Sequence, residues 1–166
     1  MNKPSSIEFL EARLGQEIYV SDWKVISQQE TDTFAKLTND EDPMHNDPDW
    51  AAQTHWGGTI VQAAHVLSLG VAVISETDVP LHTKSDGDTY VLNYGYDRVR
   101  VISPLSVGHR FRYRGKIVDI RAKSEKEYVL KFDVTVEVED REKPFMVYES
   151  LIYWACDQKM LSTVAT

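Results

Sequence analysis

Asp40 and His45 stand five residues apart in the segment Asp40-Glu41-Asp42-Pro43-Met44-His45. The ordinary pKa values of a carboxylate and an imidazole lie on either side of the range where proton transfer is easy. Together they can orient a water and take a proton from it. Asp42 adds a second carboxylate, and Pro43 stiffens the loop. A glycine pair, Gly57-Gly58, and an uncharged run from Thr59 to Ser75 follow. If that run is a helix, free backbone N–H groups of its first turn can face a developing oxyanion. The reaction class suggested is water activation beside an oxyanion site.

Capping signals and periodicity indicate the elements that must position these groups. Ser5-Ser6-Ile7-Glu8 has the form of a capping box, with Ile7, Leu10 and Leu14 at helical spacing until Gly15. Glu17–Ile26 is rich in β-branched and aromatic residues and predicts a strand. Ser27-Gln28-Gln29-Glu30 is a second capping box. Its helix would carry Phe34 and Leu37 on one face and end near Asn39, delivering Asp40 at its C-terminal edge. Asp47-Pro48 predicts an N-cap and the first residue of a short helix reaching Gln53. The helix expected from about Ile60 to Ser75 is apolar almost all round, which predicts burial on every side. Gly70 inside it suits close approach of another element.

Beyond Pro80 the period becomes two. Strands are expected over Tyr90–Tyr96, Asp97–Ile102, Arg110–Arg121, Tyr128–Glu139 and Phe145–Ala155, with polar hairpin loops at 122–127 and 140–144. Val134, Val136 and Val138 alternate with Thr135, Glu137 and Glu139, as in a sheet with one wet face. Gly95, between Tyr94 and Tyr96, predicts a bulge or bend. The layout is α+β, a single domain over residues 1–166, in which an antiparallel sheet covers one apolar helix. The free sheet edge and the open side of the helix suit a dimer.

A chain of 166 residues with net charge −8 has no general affinity for nucleic acid or an anionic membrane. A phosphate-bearing ligand would need a local basic patch. Arg98 and Arg100, on one side of a strand, fit either that role or paired surface charges. One cysteine, Cys156, excludes an internal disulfide framework. The N-terminal residues lack the apolar core of a signal peptide. The uncharged run is shorter than the roughly 18–20 residues that cross a bilayer. A cytoplasmic protein is expected. His45, His55 and His65 lack zinc-ligand spacing, so no metal site is expected, and water activation by Asp40 and His45 calls for no redox cofactor.

The segments GQEIYVSDW (15–23), LTNDEDPMHNDPDWA (37–51), WGGTI (56–60), LNYGYDRVRVISPLSVGHR (92–110) and EKPFMVYES (142–150) together resemble MaoC-like dehydratases, most nearly the NodN-like subgroup. The resemblance spans Gly15 to about Trp154. It implies the hotdog fold, an antiparallel β-sheet wrapped around a long central α-helix, and a homodimer. It also implies the chemistry of an (R)-specific enoyl-CoA hydratase, which adds water reversibly to a trans-2-enoyl thioester carried by CoA or an acyl carrier protein. On matching positions Asp40 and His45 become the catalytic pair, and the Ala63 backbone N–H polarises the thioester carbonyl. Gly57, Gly58, Asn93, Tyr94 and Gly95 are the candidate substrate-binding positions. The chain leaves the family's usual pattern at Ile60-Val61-Gln62-Ala63-Ala64-His65, where a histidine and a glycine are replaced by Gln62 and Ala63. An alanine donates the same N–H provided its φ is helical. A thioesterase of the same fold and a non-catalytic acyl-binding subunit are the alternatives.

Overall fold

Alternating apolar and polar residues in the second half of the chain build one antiparallel sheet. The computed structural model describes residues 3–156. The helices are α1 (Ser5–Glu11), α2 (Gln28–Thr38), α3 (Pro43–Asn46), α4 (Pro48–Ala51) and α5 (Ala63–Val73). The strands are β1 (Glu17–Val20), β2 (Thr89–Val101), β3 (Phe111–Ala122), β4 (Glu127–Val138) and β5 (Met146–Cys156), in the order β1-β3-β4-β5-β2. β2 is therefore an edge strand. Among the described residues no helix is long and apolar enough to cross a membrane.

The inner face of the sheet carries Phe111, Tyr113, Ile117, Phe132, Val134 and Trp154, all buried. α5 lies against that face. Tyr113 Oη donates to the Val66 carbonyl at 2.5 Å, and the ring of Tyr113 and hydroxyl of Tyr148 close over Gly70. Gly70 thus supplies the close approach expected of it. The outer face carries cross-strand pairs, among them Arg110–Glu139 and Arg114–Glu17. Such exposed pairs each contribute about 0–1 kcal/mol. This is the hotdog arrangement.

Several expectations need correction. The Ser5–Glu8 capping box does not form. Asp86 instead accepts from the backbone N–H groups of Ser5 (2.6 Å) and Ser6 (2.9 Å), taking from across the chain the Ser5 donor that the Glu8 side chain would have held. α1 ends at Glu11, and Leu14 is 52% exposed. The strand expected over Glu17–Ile26 stops at Val20, because Tyr113 N–H donates to the Ser21 hydroxyl rather than to a ladder carbonyl. Only Lys24 rejoins, as an isolated bridge to Phe111. Residues 90–102 form one strand rather than two, interrupted by irregularities at Asn93–Gly95 and Asp97–Arg100. The bulge at Gly95 (φ 155°) matches expectation. The second, where Arg98 has φ 52°, breaks the common side expected of Arg98 and Arg100, and Arg98 pairs with Glu149 at 3.0 Å.

α5 is shorter than expected and buried on one side only. Ile60 bridges Ser106 and Val61 N–H donates to the Leu105 carbonyl, so the backbone before Ala63 is held extended. Val66 and Val73 are buried, whereas Val71 is 47% exposed and Leu69 is also exposed. The burial on every side predicted from its composition is not met within one chain.

Candidate active site

The Ser27–Glu30 capping box forms as expected and starts α2 in a fixed place. Asn39 ends α2 in the left-handed region (φ 56°), and the Asp40 N–H returns to the Ala35 carbonyl at 3.0 Å. That turn fixes the backbone of Asp40, whose side chain is exposed. Asp42 accepts from the Met44 N–H at 3.0 Å and caps α3, which gives the second carboxylate a structural task. Asp47 does the same for α4 through the Trp50 N–H, as expected, though α4 stops at Ala51.

His45 is buried, with 9% of its surface exposed. Its Nδ1 lies 2.6 Å from the Ile60 carbonyl oxygen. A carbonyl only accepts, so Nδ1 carries a proton, and in the neutral imidazole the lone pair then lies on Nε2. Ile60 N–H in turn donates to the Met44 carbonyl at 3.0 Å, so the two segments clasp each other beside the histidine.

Gln28 ties a third segment into the same place. Its Nε2 donates to the His45 carbonyl (2.7 Å) and to Asp32 (2.8 Å), and its Oε1 accepts from the Thr59 hydroxyl (2.6 Å). Asn46 also donates to Asp32 at 2.7 Å. The Gln28 amide first, and the Asn46 amide second, hold the Asp32 carboxyl below its usual range. Gln28 was missed in the sequence because nothing local distinguishes it from any residue inside a capping box.

His45 and Ala63 line one cleft of about 380 Å³, walled by Val61, Val101, Ile102 and Phe145. Ala63 is the first residue of α5, after Gln62 at φ −61°, ψ 131°. It is absent from the positive-φ residues, so alanine sits there without strain. Its N–H belongs to the first turn, where no intrahelical acceptor exists. The arrangement offers an imidazole lone pair and a helix N-terminus to one ligand, and the helix dipole favours negative charge there.

The other candidate positions lie elsewhere. Asp40 does not line the cleft. Gly57 (φ 71°) and Gly58 belong to the turn that leads into Thr59 and do not line it either. Asn93 lines a second cavity, beside the C-terminal half of α5. Tyr94 lies on the opposite face of β2 from Asn93, 6.2 Å from the Tyr153 ring, and is 55% exposed. Gly95 forms the bulge. His55 packs on Trp56 and His65 stacks on Phe34 at 4.6 Å, so the three histidines occupy three separate places. Burial lowers the His65 pKa.

Residues 9–139 match the family model described as MaoC like domain. The chain is 34% identical over 140 residues to Nodulation protein N of Rhizobium leguminosarum bv. viciae, covering 84% of each. It is 32% identical over 147 residues to 3-hydroxyacyl-thioester dehydratase Z of Mycobacterium tuberculosis, covering 89% of this chain and 94% of that protein. Among solved structures, the (R)-hydratase from A. caviae involved in PHA biosynthesis superposes with a TM-score of 0.66 at 20% identity, over 84% of this chain and 94% of that one. That likeness speaks for the fold alone.

Proposed function

The chain belongs to the MaoC-like dehydratase family, and on that premise we propose that it is an (R)-specific enoyl-thioester hydratase acting reversibly on a trans-2-enoyl-CoA. The observation that carries the reading is the shared cleft of His45 and Ala63, with Nδ1 of the imidazole committed to Ile60. On this reading Asp40, which stands outside the cleft wall in the single chain, comes to share a water with His45 Nε2 and takes one of its protons as the oxygen bonds to C3. The C2=C3 electron pair moves onto the thioester oxygen, which the Ala63 N–H stabilises as the enolate forms. Collapse of the enolate returns the proton from Asp40 to C2, and the 3-hydroxyacyl thioester leaves. Dehydration is the same path reversed. No redox step occurs.

A second copy of the chain completes this reading. It would cover the exposed side of α5 and the free edge of β2. Sedimentation equilibrium should then report twice the chain mass.

Incubation with crotonyl-CoA should consume the enoyl absorbance and yield the (R)-3-hydroxy product on chiral analysis. Asp40→Asn and His45→Ala should each abolish most of the rate. Normal turnover by Asp40→Asn would sink the mechanism. Release of free CoA without hydration would identify a thioesterase instead, and binding without any turnover an acyl-binding subunit.

A further inference from the structure

A cavity of about 470 Å³ lies beside the second half of α5, lined by Gly70, Val71 and Ile74 from the helix end and by Val91 and Asn93 from β2. It shares both of its main walls with the His45 cleft. On α5, Ala63 borders the cleft and Val71 the cavity, joined there by Ile74 just past the helix end, and half-buried Leu67 lies between on the same helical stripe. On β2, Val101 borders the cleft and Asn93 the cavity, with half-buried Tyr96 and Val99 between. The two openings thus lie toward opposite ends of α5 and β2, about 16 Å apart along the helix at 1.5 Å per residue.

The far end is not built for a plain hydrocarbon. Tyr19, His82, Asn93 and Ser150 all contribute to its wall. His82 Nδ1 is engaged by Thr89 at 2.7 Å, which leaves Nε2 open. Asn93 donates to the Tyr96 hydroxyl at 3.1 Å, which leaves its carbonyl oxygen open. The Tyr19 hydroxyl meets no protein partner among the described residues, and burial pushes its pKa up. The donors and acceptors of exposed His82 and Asn93 and of buried Tyr19, set beside Phe132, Val71 and Ile152, suit one uncharged oxygen function on an otherwise apolar chain. A saturated chain end there would strip these groups of water and return nothing.

We propose that the polar wall of this second cavity recognises a hydroxyl or carbonyl group carried near the end of an acyl chain whose thioester sits at the His45 cleft. The inference rests on the hydratase reading for the chemistry at the near end, and deepens it by naming a substrate class. A dodecenoyl chain with a terminal hydroxyl has the length to bridge the two ends.

Two measurements test it. Hydration rates of trans-2-dodecenoyl-CoA and its ω-hydroxy analogue should differ, with kcat/KM about fivefold higher for the hydroxylated chain, the return on one well-made hydrogen bond. The ratio should fall to one or invert in Asn93→Leu and in His82→Leu. Because it is a ratio within each variant, partial unfolding cancels. Calorimetric titration with dodecanoyl-CoA and ω-hydroxydodecanoyl-CoA reads the same preference without turnover. A binding preference for the hydroxylated chain with no hydration of any enoyl-CoA would uphold this inference and overturn the hydratase reading. Equal binding of the two chains, or a preference that survives both substitutions, would overturn the inference itself.

Discussion

Ala63→Pro is a substitution that can delete one hydrogen-bond donor from the cleft and little else. Ala63 is the first residue of α5, and a proline there sacrifices no helical hydrogen bond. Gln62 before it already holds φ −61°, ψ 131°, the extended conformation that proline demands of its predecessor. Helix and fold should therefore survive, while the N–H assigned to the enolate oxygen disappears. One lost oxyanion donor costs about 2.7–4 kcal/mol in the transition state, or roughly 100- to 1,000-fold in kcat. Ala63→Gly keeps the N–H and serves as control; its cost is confined to helix propensity, at most about 1 kcal/mol of stability. Initial rates of crotonyl-CoA hydration, with circular dichroism and thermal melts on both variants, make the comparison. A folded Ala63→Pro protein with unchanged kcat would refute the oxyanion role.

Gln28→Leu removes hydrogen bonds to His45, Asp32 and Thr59 at once. At about 1 kcal/mol each, the loss should approach 2–3 kcal/mol in chemical denaturation, and the Asp32 pKa should rise towards its ordinary value by NMR titration. Gly70→Ala places a Cβ against the Tyr148 hydroxyl and 3.2 Å from Tyr113 Cε1, an overpacking that should cost about 1–3 kcal/mol in the same assay. Burial raises the Asp86 pKa, but hydrogen bonds led by those from Ser6 outweigh it and hold the carboxyl at about 2. A depressed folded-state value means its contribution is full above about pH 4 and fades as pH falls towards 2. Asp86→Asn should accordingly flatten the acid limb of a stability–pH curve.

Local signals in the sequence located elements well where their partners were also local. The Ser27–Glu30 box, the Asp47 cap and the alternation of Val134–Val138 depend on neighbours within a few residues, and each appears where expected. Misplaced features depend on distant groups. Asp86 displaces the Ser5 box across about 80 residues of chain, and pairing of residues 60 and 61 with 105 and 106 delays α5. Asn93 and Tyr94 are a different case, since adjacent strand residues face opposite sides and one tunnel lining could not take both. The meeting of His45 with Ala63 was legible only through resemblance. It arises from a tertiary clasp at Ile60 that no short motif encodes.

That clasp has an engineering consequence. The His45–Ile60 and Met44–Ile60 hydrogen bonds close residues 46–59 at the base, in the manner of an Ω-loop. Its tip, residues 52–57, is mostly exposed. Lengthening a closed loop costs only about 0.6 kcal/mol per doubling, so foreign sequence spliced into the tip should leave the imidazole where it is. The tip is a grafting port, insulated from the chemistry by two hydrogen bonds at its neck.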